Sequence, residues 1–344
     1  MKDLKIVQSC PDDDYYLWQT HLWMESLKEK GLSHKAISLI FTPDYREPNP
    51  KWKKVEELYP EAEFFHLKDE DKVSKLLGIY IPILRPYMLM KYWLLHPEMQ
   101  DKAIFYCDAD VIFLERFDLE PFLHDDICYL SNTNSYINAS YFDSKLNDVL
   151  PEKKDLYIEN DVFNSLLNYI GISREIADKY NLHSGGAQYL LKNIDSDFWE
   201  KVMKNCIDIR LYLQSVNRVY FESENKGFQS WCSDMWAVLW TLWLKNQETR
   251  VIPEMNFAFS SDSIDKMEHI PILHNSGITG EFQTIHQEGK EIQIPTFYKG
   301  KYHQGKDPFE DERIYQINIK NKKLCNHYYL EKMIELHKKY KLKY

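Results

Sequence analysis

The chain has 344 residues, of which 44% are hydrophobic and 28% are charged, and its formal net charge is −10 at pH 7. This composition predicts a globular protein of one large domain or two, and the acidic balance argues against broad, sequence-independent nucleic-acid binding. Six cysteines without Cys-x-x-Cys spacing argue against a zinc site and predict a reducing, cytoplasmic location. We expect no signal peptide, because a strand pattern begins at once, and the longest apolar run, 236–244, is too short to span a bilayer.

Strands and helices are predicted to alternate through the first third of the chain. The predicted elements are strands at 4–9, 37–41 and 63–67 and a helix at 15–30. Such alternation is typical of a parallel sheet with helices on both faces, which binds ligands outside the carboxyl ends of its strands. A further helix is predicted over 86–96, with Pro86 in its first turn and Arg85 just before it.

The most informative stretch is 104–114, where two apolar runs flank Asp108-Ala109-Asp110. The first run predicts a buried parallel strand, and the second is expected to continue it after a short break. The other Asp-x-Asp triplets lie in polar surroundings and are expected on the solvated surface; they begin at Asp12, Asp69 and Asp195. Carboxylates at the end of a buried strand need a cation, and hard oxygen ligands suit Mn²⁺ or Mg²⁺.

Beyond residue 114, small and polar residues recur next to apolar runs. The remaining predicted elements are a strand at 126–130, a polar insertion or lid at 132–160, a helix at 195–214, a helix opening at 228–236, a strand at 270–274 and a last helix from 328. The adjacent glycines Gly185 and Gly186 precede an apolar run and permit close backbone approach. Asp234 is the one charge among aromatic neighbours, so we expect it to be paired or functional.

Taken together, these blocks resemble the core of GT-A glycosyltransferases, and are most similar to the family 8 type. The resemblance rests on Arg85-Pro86-Tyr87, on 102–112 with its Asp108-Ala109-Asp110, on Phe117-Asp118-Leu119, on Ser184-Gly185-Gly186-Ala187-Gln188 and on His274-Asn275-Ser276-Gly277. The blocks follow the family's order across roughly residues 1–280. The Lys-Pro-Trp that usually follows the family's late histidine, and carries its phosphate-contacting lysine, is replaced here by Ile278-Thr279-Gly280-Glu281.

The resemblance implies a role for each of these residues. Asp108, Asp110 and His274 would bind Mn²⁺ or Mg²⁺. The expected donor-binding residues are Gln8, Ser9 and Tyr16 after the first strand, together with Arg85, Asp108, Ala109, Asp110 and Gly277. The expected acceptor-binding residues are Gly185, Gly186 and Trp231, and the expected catalytic residues are Gln188, beside the anomeric carbon, and Asp234.

The predicted fold class is α/β, with a GT-A (Rossmann-like), mixed and mainly parallel sheet flanked by helices and a helical C-terminal appendix. Residues 1–131 would be the donor half, 132–280 the acceptor half and 281–344 the appendix. Residues 320–344 contain eight lysines and two glutamates. This basic tail could contact an anionic membrane surface, and the alternative is a solvated terminal helix.

The activity implied is metal-dependent transfer of a sugar from a nucleotide diphosphate sugar, with a UDP-sugar favoured, to an acceptor hydroxyl. Retention is expected if the leaving phosphate guides the acceptor, whereas a general base at Asp234 would allow inversion. The acceptor stays open among a glycan, a lipid-linked sugar, a protein side chain and, against the negative net charge, a base in nucleic acid. The alternatives are a glycan-binding or inactive module and a nucleotidyltransferase, although residues 10–14 are acidic where the latter would carry a basic, glycine-rich loop.

Overall fold

The computed structural model describes residues 2–73, 75, 80–287, 289–303, 305–317, 319–320 and 322–344. Its strands, β1 to β12, are Leu4–Pro11, Ala36–Thr42, Glu63–Lys68, Ala103–Cys107, Val111–Phe113, Cys128–Asn132, Gly185–Lys192, Thr249–Val251, Phe257–Phe259, Ile272–His274, Phe282–Gln287 and Lys290–Pro295. Its helices, α1 to α11, are Asp14–Glu29, Trp52–Glu56, Leu84–Leu95, Ala139–Ser144, Lys154–Glu159, Val162–Ile170, Arg174–Lys179, Ser196–Tyr220, Ser233–Leu244, Arg313–Gln316 and Cys325–Tyr340. Within the described ranges, none of these helices has the length and apolar character that a membrane crossing requires.

The chain forms two compact units, each assembled from separate stretches of sequence. Unit 1 contains Met1–Lys5, Glu70–Tyr106 and Pro121–Pro253. Unit 2 contains Ile6–Asp69, Cys107–Glu120 and Glu254–Tyr344. These boundaries differ from the three continuous segments predicted from the sequence, and the division into donor and acceptor halves stays a prediction.

Unit 2 contains the strand–helix alternation predicted for the N-terminal region. Its strands β3, β2 and β1 lie side by side in that order and are parallel. The central strand β2 is buried along its whole length, as expected for a parallel strand covered on both faces. Helix α1 begins after Asp13, whose carboxylate accepts a hydrogen bond from the backbone N–H of Tyr15 at 2.9 Å.

A second, smaller sheet in unit 2 brings distant residues together. Strand β10 pairs antiparallel with β5 and parallel with β9, and His274 lies opposite Val111 in the first of these pairs. The backbone N–H of Asn275 then donates to the carbonyl of Asp110 at 3.0 Å. Because Val111 directly follows Asp110, this register places His274 beside the Asp108–Asp110 turn.

Two of the aspartates expected on the surface are buried instead. Asp12 is fully buried and accepts hydrogen bonds from Trp52 Nε1 at 2.7 Å and Thr42 Oγ1 at 2.8 Å. Asp69 is 2% exposed, and its backbone N–H donates to the Thr42 carbonyl at 2.9 Å. The polar sequence around Asp12 was misleading because its hydrogen-bond partners come from 30 or more residues away.

Unit 1 is built on a mixed sheet in the order β4-β7-β6-β8. Strand β7 is antiparallel to both β4 and β6, whereas β6 and β8 are parallel. At its start β4 also lies beside the N-terminal residues of this unit, since the N–H of Ala103 donates to the carbonyl of Asp3 at 2.9 Å. The helix pair α3 and α8 packs in the same unit, where Trp93 and Trp199 meet edge to face with ring centroids 5.8 Å apart.

The predicted α/β class with a mixed, mainly parallel sheet flanked by helices is confirmed, with one correction at the central motif. Strand β4 is buried as expected, and one of its pairings, that with β7, is antiparallel. The second apolar run does not continue β4, because it forms β5 of the small sheet in unit 2. The Asp108–Asp110 turn therefore connects strands of two different sheets.

The polar region 132–160 is helical and packed rather than an open loop. Helices α4 and α5 lie in it, and the Asn138 side chain caps α4 by accepting from the N–H of Tyr141 at 2.7 Å. Phe142, which is 1% exposed, stacks on Phe163 at 4.3 Å. A few apolar side chains among many polar residues were enough to anchor this segment, most of which stays partly or fully exposed.

The basic tail is largely folded onto unit 2. Helix α11 packs on α1, and Lys339 and Tyr340 both bond to the carboxylate of Glu25. Tyr344 is 3% exposed, and its hydroxyl lies 2.5 Å from Nδ1 of His21. Since part of its charge is paired internally, the tail is not a freely solvated helix, and its contact with a membrane stays a prediction.

Candidate metal and sugar sites

Three metal-ligating side chains converge in unit 2. His274 Nε2 lies 3.5 Å from Asp108 Oδ2 and 3.3 Å from Asp110 Oδ1. One ligand atom from each residue can be chosen so that all three lie within 4.8 Å of one another. The cluster combines the turn after β4 with the end of β10, which the sheet pairing described above holds together.

Opposite charges dominate the electrostatics of this cluster. Burial alone would raise the pKa of the Asp110 carboxyl, but Lys299 and His274 outweigh it and hold that pKa well below its ordinary value. Burial would likewise lower the pKa of His274, yet Asp110 and Asp108 raise it to about 9. Without an ion, these charges favour an ionised Asp110 and a protonated His274.

The donor atoms suit a divalent cation. Two carboxylates and one imidazole are a ligand set that Mn²⁺ accepts, with positions left for oxygens of a substrate. A metal ligand must be a neutral imidazole, so binding an ion here would release the proton that Asp108 and Asp110 favour on His274. The observed convergence makes these residues a possible metal site, while the identity of the ion stays a prediction.

Lys299 is the residue at this cluster that the sequence analysis missed. It lies in a short 3₁₀ turn, Lys299–Tyr302, is 7% exposed, and its ammonium contacts Asp110 Oδ2. A signal was present, because Lys299 is a charge among the aromatic residues Phe297, Tyr298 and Tyr302. A single charge among aromatic neighbours also marks Asp234, whereas Lys299 lies in the segment predicted to be a C-terminal appendix.

The predicted base-binding residues also lie in unit 2. Gln8 is fully buried, and its amide donates to Thr20 Oγ1 at 3.3 Å and to Ser38 Oγ. Ser9 is 6% exposed, and Tyr16 is half-buried near the start of α1. Their role in binding a donor stays a prediction.

The neighbouring Tyr15, which the sequence analysis did not select, interacts electrostatically with Asp110 of the candidate metal cluster. Burial and then the charge of Asp110 raise the pKa of its hydroxyl well above the ordinary value, and its ring stacks on His303 at 3.9 Å. Of the other predicted donor residues, Ala109 is 6% exposed inside the Asp108–Asp110 turn. Gly277 lies in the exposed loop after His274, where an added Cβ would meet no atom within 4 Å.

A second cluster, in unit 1, joins two residues that the sequence analysis had given separate roles. Arg85 Nη1 donates to Asp234 Oδ2 at 2.9 Å, and the Tyr80 hydroxyl donates to Asp234 Oδ1 at 3.0 Å. Trp231 is 57% exposed beside them, meeting Tyr80 edge to face at 5.4 Å. Arg210 lies over the Tyr80 ring at 4.3 Å. An exposed indole next to a fixed ion pair has the amphipathic character of a sugar-binding surface.

The Gly185–Gln188 segment forms an irregularity at the start of β7. Asn132 pairs with Gly185 and Leu130 with Tyr189, so four steps along β7 correspond to two along β6. Ala187 has φ +69, a left-handed conformation that is costly for a residue with a side chain. Gln188 is fully buried and accepts a hydrogen bond from Ser131 Oγ at 2.7 Å. Bulges of this kind often redirect side chains near active sites, so the catalytic role of Gln188 stays a prediction.

Comparison with known proteins gives no family assignment. No family model matches the chain, and no curated protein matches it. One solved structure that aligns is the galactosyltransferase LgtC in complex with donor and acceptor sugar analogues, at 11% identity and TM-score 0.40, covering 81% of this chain and 89% of that one. Another is core-mannan synthase A of Aspergillus fumigatus in a Mn/GDP form, at 12% identity and TM-score 0.31, covering 70% of each chain. Both scores are too low to carry an argument, so function has to be argued from the residues of this chain.

Proposed function

We propose that the protein is a metal-dependent glycosyltransferase that moves a sugar from a nucleotide diphosphate sugar, by preference a UDP-sugar, to an acceptor hydroxyl. The observation that carries the proposal is the convergence of Asp108, Asp110 and His274 at a turn between two sheets. That arrangement gathers ligands for a hard divalent ion next to the parallel strands of unit 2, the kind of sheet that binds nucleotides at its strand ends.

The proposed roles divide into metal and donor binding on the one hand and acceptor binding on the other. In unit 2, Asp108, Asp110 and His274 would hold Mn²⁺ or Mg²⁺, and Ser9, Tyr16, Ala109 and Gly277 would contact the donor. When bound, the ion supplies positive charge that stabilises the departing diphosphate. In unit 1, Trp231 would stack on an acceptor sugar.

We favour a retaining outcome because Asp234 is already engaged. Its carboxylate is bonded to Arg85 and to Tyr80, and such contacts suit a group that orients an acceptor better than a base that must take a proton. The leaving phosphate would then guide the acceptor hydroxyl to the face that it vacates. The anomeric configuration of the product, measured by proton NMR during the first turnovers, tests this directly, and an inverted product would return Asp234 to the role of base.

The proposal predicts a nucleotide-specific and metal-dependent gain in stability. Thermal unfolding would be measured with UDP, GDP and CDP, each with and without Mn²⁺. A ligand at 100 times its dissociation constant adds about 2.7 kcal/mol to the free energy of unfolding, which gives a readily measured shift. We expect that shift with UDP and Mn²⁺ together. A folded protein that shows no shift with any pair would contradict the proposal and favour a glycan-binding module.

A second prediction concerns the acceptor surface. Replacing Trp231 with alanine should raise KM for a sugar acceptor about three- to tenfold, because aromatic stacking contributes about 0.5–1.5 kcal/mol. Hydrolysis of the donor by water should be unchanged, since Trp231 is assigned to the acceptor alone. Tyr169→Ala is the matched control, as Tyr169 is another aromatic side chain of unit 1 and is 64% exposed. Equal effects of the two substitutions, or a loss of donor hydrolysis in Trp231→Ala, would count against the assignment.

A further inference from the structure

The segment 296–303 is held firmly in unit 2. Phe297 is 1% exposed, and the Asn326 side chain exchanges two hydrogen bonds with its backbone, at 2.7 and 2.9 Å. Thr296 is tied to the loop that follows His274, because its hydroxyl donates to the Gly280 carbonyl at 2.7 Å and its N–H to the Glu281 carbonyl at 2.9 Å. The loop that follows the candidate ligand His274 is thus tied to the segment that carries Lys299.

Two lysines of this segment face different surroundings. The Lys299 side chain is 9% exposed and contacts Asp110, its one carboxylate partner among the residues that the structure describes. Lys301 is 24% exposed and pairs with Glu281 at 2.9 Å and Asp311 at 3.4 Å. An ammonium has three N–H donors, so Lys299 can bind a second anion while it keeps its bond to Asp110.

The net charge of the cluster with a divalent ion bound indicates which kind of second anion Lys299 would bind. A divalent ion is cancelled by the carboxylates of Asp108 and Asp110, and His274 must be neutral to bind it. Lys299 then leaves the loaded cluster with one net positive charge in a water-poor setting. The diphosphate of a nucleotide sugar is anionic, so it gives this positive charge a partner, which a neutral ligand cannot do, and a buried charge without a partner is costly.

We propose that Lys299 is a resident cation that couples metal binding to diphosphate binding. In the metal-free protein it neutralises Asp110, and with metal bound it supplies the positive charge that receives the diphosphate of the donor. Lys299 thereby opposes binding of the metal alone and favours binding of metal and diphosphate together. This inference rests on the proposed function, because it takes the cluster to be a donor site.

The test is a pair of binding measurements with opposite expected signs. Titration calorimetry would give the dissociation constant for Mn²⁺ alone, and then for UDP in saturating Mn²⁺. In Lys299→Met we expect Mn²⁺ alone to bind about threefold tighter or better, because a like charge has been removed. We expect UDP to bind about tenfold weaker or worse, because a charge-assisted hydrogen bond has been lost.

Three further variants sharpen the result. Lys299→Gln keeps a donor for Asp110 but not the charge, so it should behave as Lys299→Met does and remains informative if that variant does not fold. Lys299→Arg keeps the charge and should stay close to wild type for UDP. Lys301→Met, on the same turn, should change neither constant.

If both neutral variants lose Mn²⁺ and UDP affinity in parallel, or change neither, Lys299 only supports Asp110 and the inference is overturned. Failure of the wild-type protein to bind Mn²⁺ with any of UDP, GDP or CDP would instead overturn the proposed function.

Discussion

Replacing Asp110 with asparagine should abolish metal-dependent nucleotide binding and reduce sugar transfer to background, and it should also destabilise the folded protein. Asp110 is 7% exposed, and its carboxylate contacts both His274 and Lys299. An asparagine side chain is nearly isosteric but carries no charge, so it can neither ligate a hard cation well nor balance Lys299.

The expected loss of stability has a definite source. Removing one partner of a buried ion pair typically costs about 3–5 kcal/mol, because the remaining charge is left without compensation. In Asp110→Asn the charge that loses its partner is the Lys299 ammonium, whose side chain is 9% exposed, whereas His274 keeps Asp108 as a partner. Urea unfolding of the metal-free proteins measures the cost directly. An unfolding free energy within about 0.5 kcal/mol of wild type, a change usual for surface substitutions, would show that the pair contributes little.

A double variant separates the effect on folding from the effect on function. Asp110→Asn with Lys299→Met removes both charges, and buried pairs replaced in this way are often as stable as the original. We expect most of the lost stability to return while nucleotide binding with Mn²⁺ stays absent. Recovery of binding together with stability would mean that Asp110 acts only through the fold and that the ion is held elsewhere.

The sequence predicted those features of the fold that depend on short runs of residues. The strands at the start of unit 2 and the burial of the run before Asp108 follow from apolar patterning within a few residues of each position. Pairing direction does not follow from such a pattern, because a strand buried on both faces has the same composition whether its neighbour is parallel or antiparallel. One partner of β4 is the antiparallel strand β7, almost 80 residues further along the chain, so this pairing could not be predicted from the apolar run itself.

The candidate site shows the same limit at the level of side chains. His274 could be associated with Asp108 and Asp110 because a family resemblance gave their order, and the register of β10 with β5 then brings them together. No such guide existed for Lys299, which reaches Asp110 across 189 residues of sequence. Asp234 was expected to be paired or functional, but its partner Arg85 was not identified, because an ion pair between residues 149 positions apart is a property of the folded chain.

The largest effect on stability in unit 1 is expected at Gly185. A Cβ atom there would lie 2.3 Å from the backbone oxygen of Ser131 and 3.1 Å from Val251 Cγ2. The nearer atom is backbone in the adjacent strand β6, which cannot move without disturbing the pairing on both sides of the bulge. Overpacking typically costs about 1–3 kcal/mol, and a clash with backbone belongs at the upper end of that range, so urea unfolding of Gly185→Ala should show a loss of about 3 kcal/mol.

Two other glycines serve as matched controls. At Gly277 an added Cβ meets nothing within 4 Å, so Gly277→Ala should leave the unfolding free energy within about 0.5 kcal/mol of wild type. At Gly186 the clashing atoms are the ends of side chains, Tyr189 Oη at 2.5 Å and Met235 Cε at 2.8 Å, which can move aside at a smaller cost. If Gly185→Ala lowers the free energy of unfolding no more than Gly186→Ala does, the backbone of β6 can shift to accommodate the added Cβ, contrary to this prediction.

Gly186 also distinguishes a structural bulge from a functional one. Met235 directly follows Asp234, and Gly186 lies two residues before Gln188, so a methyl group at Gly186 would press on the surroundings of both predicted catalytic residues. If the bulge has only a structural role, the rate of sugar transfer by the Gly186→Ala protein should fall in proportion to its folded fraction. If the bulge positions Gln188 for the reaction, kcat should fall well beyond that fraction while KM for the donor stays unchanged, because a group that acts in the transition state lowers kcat without weakening ground-state binding.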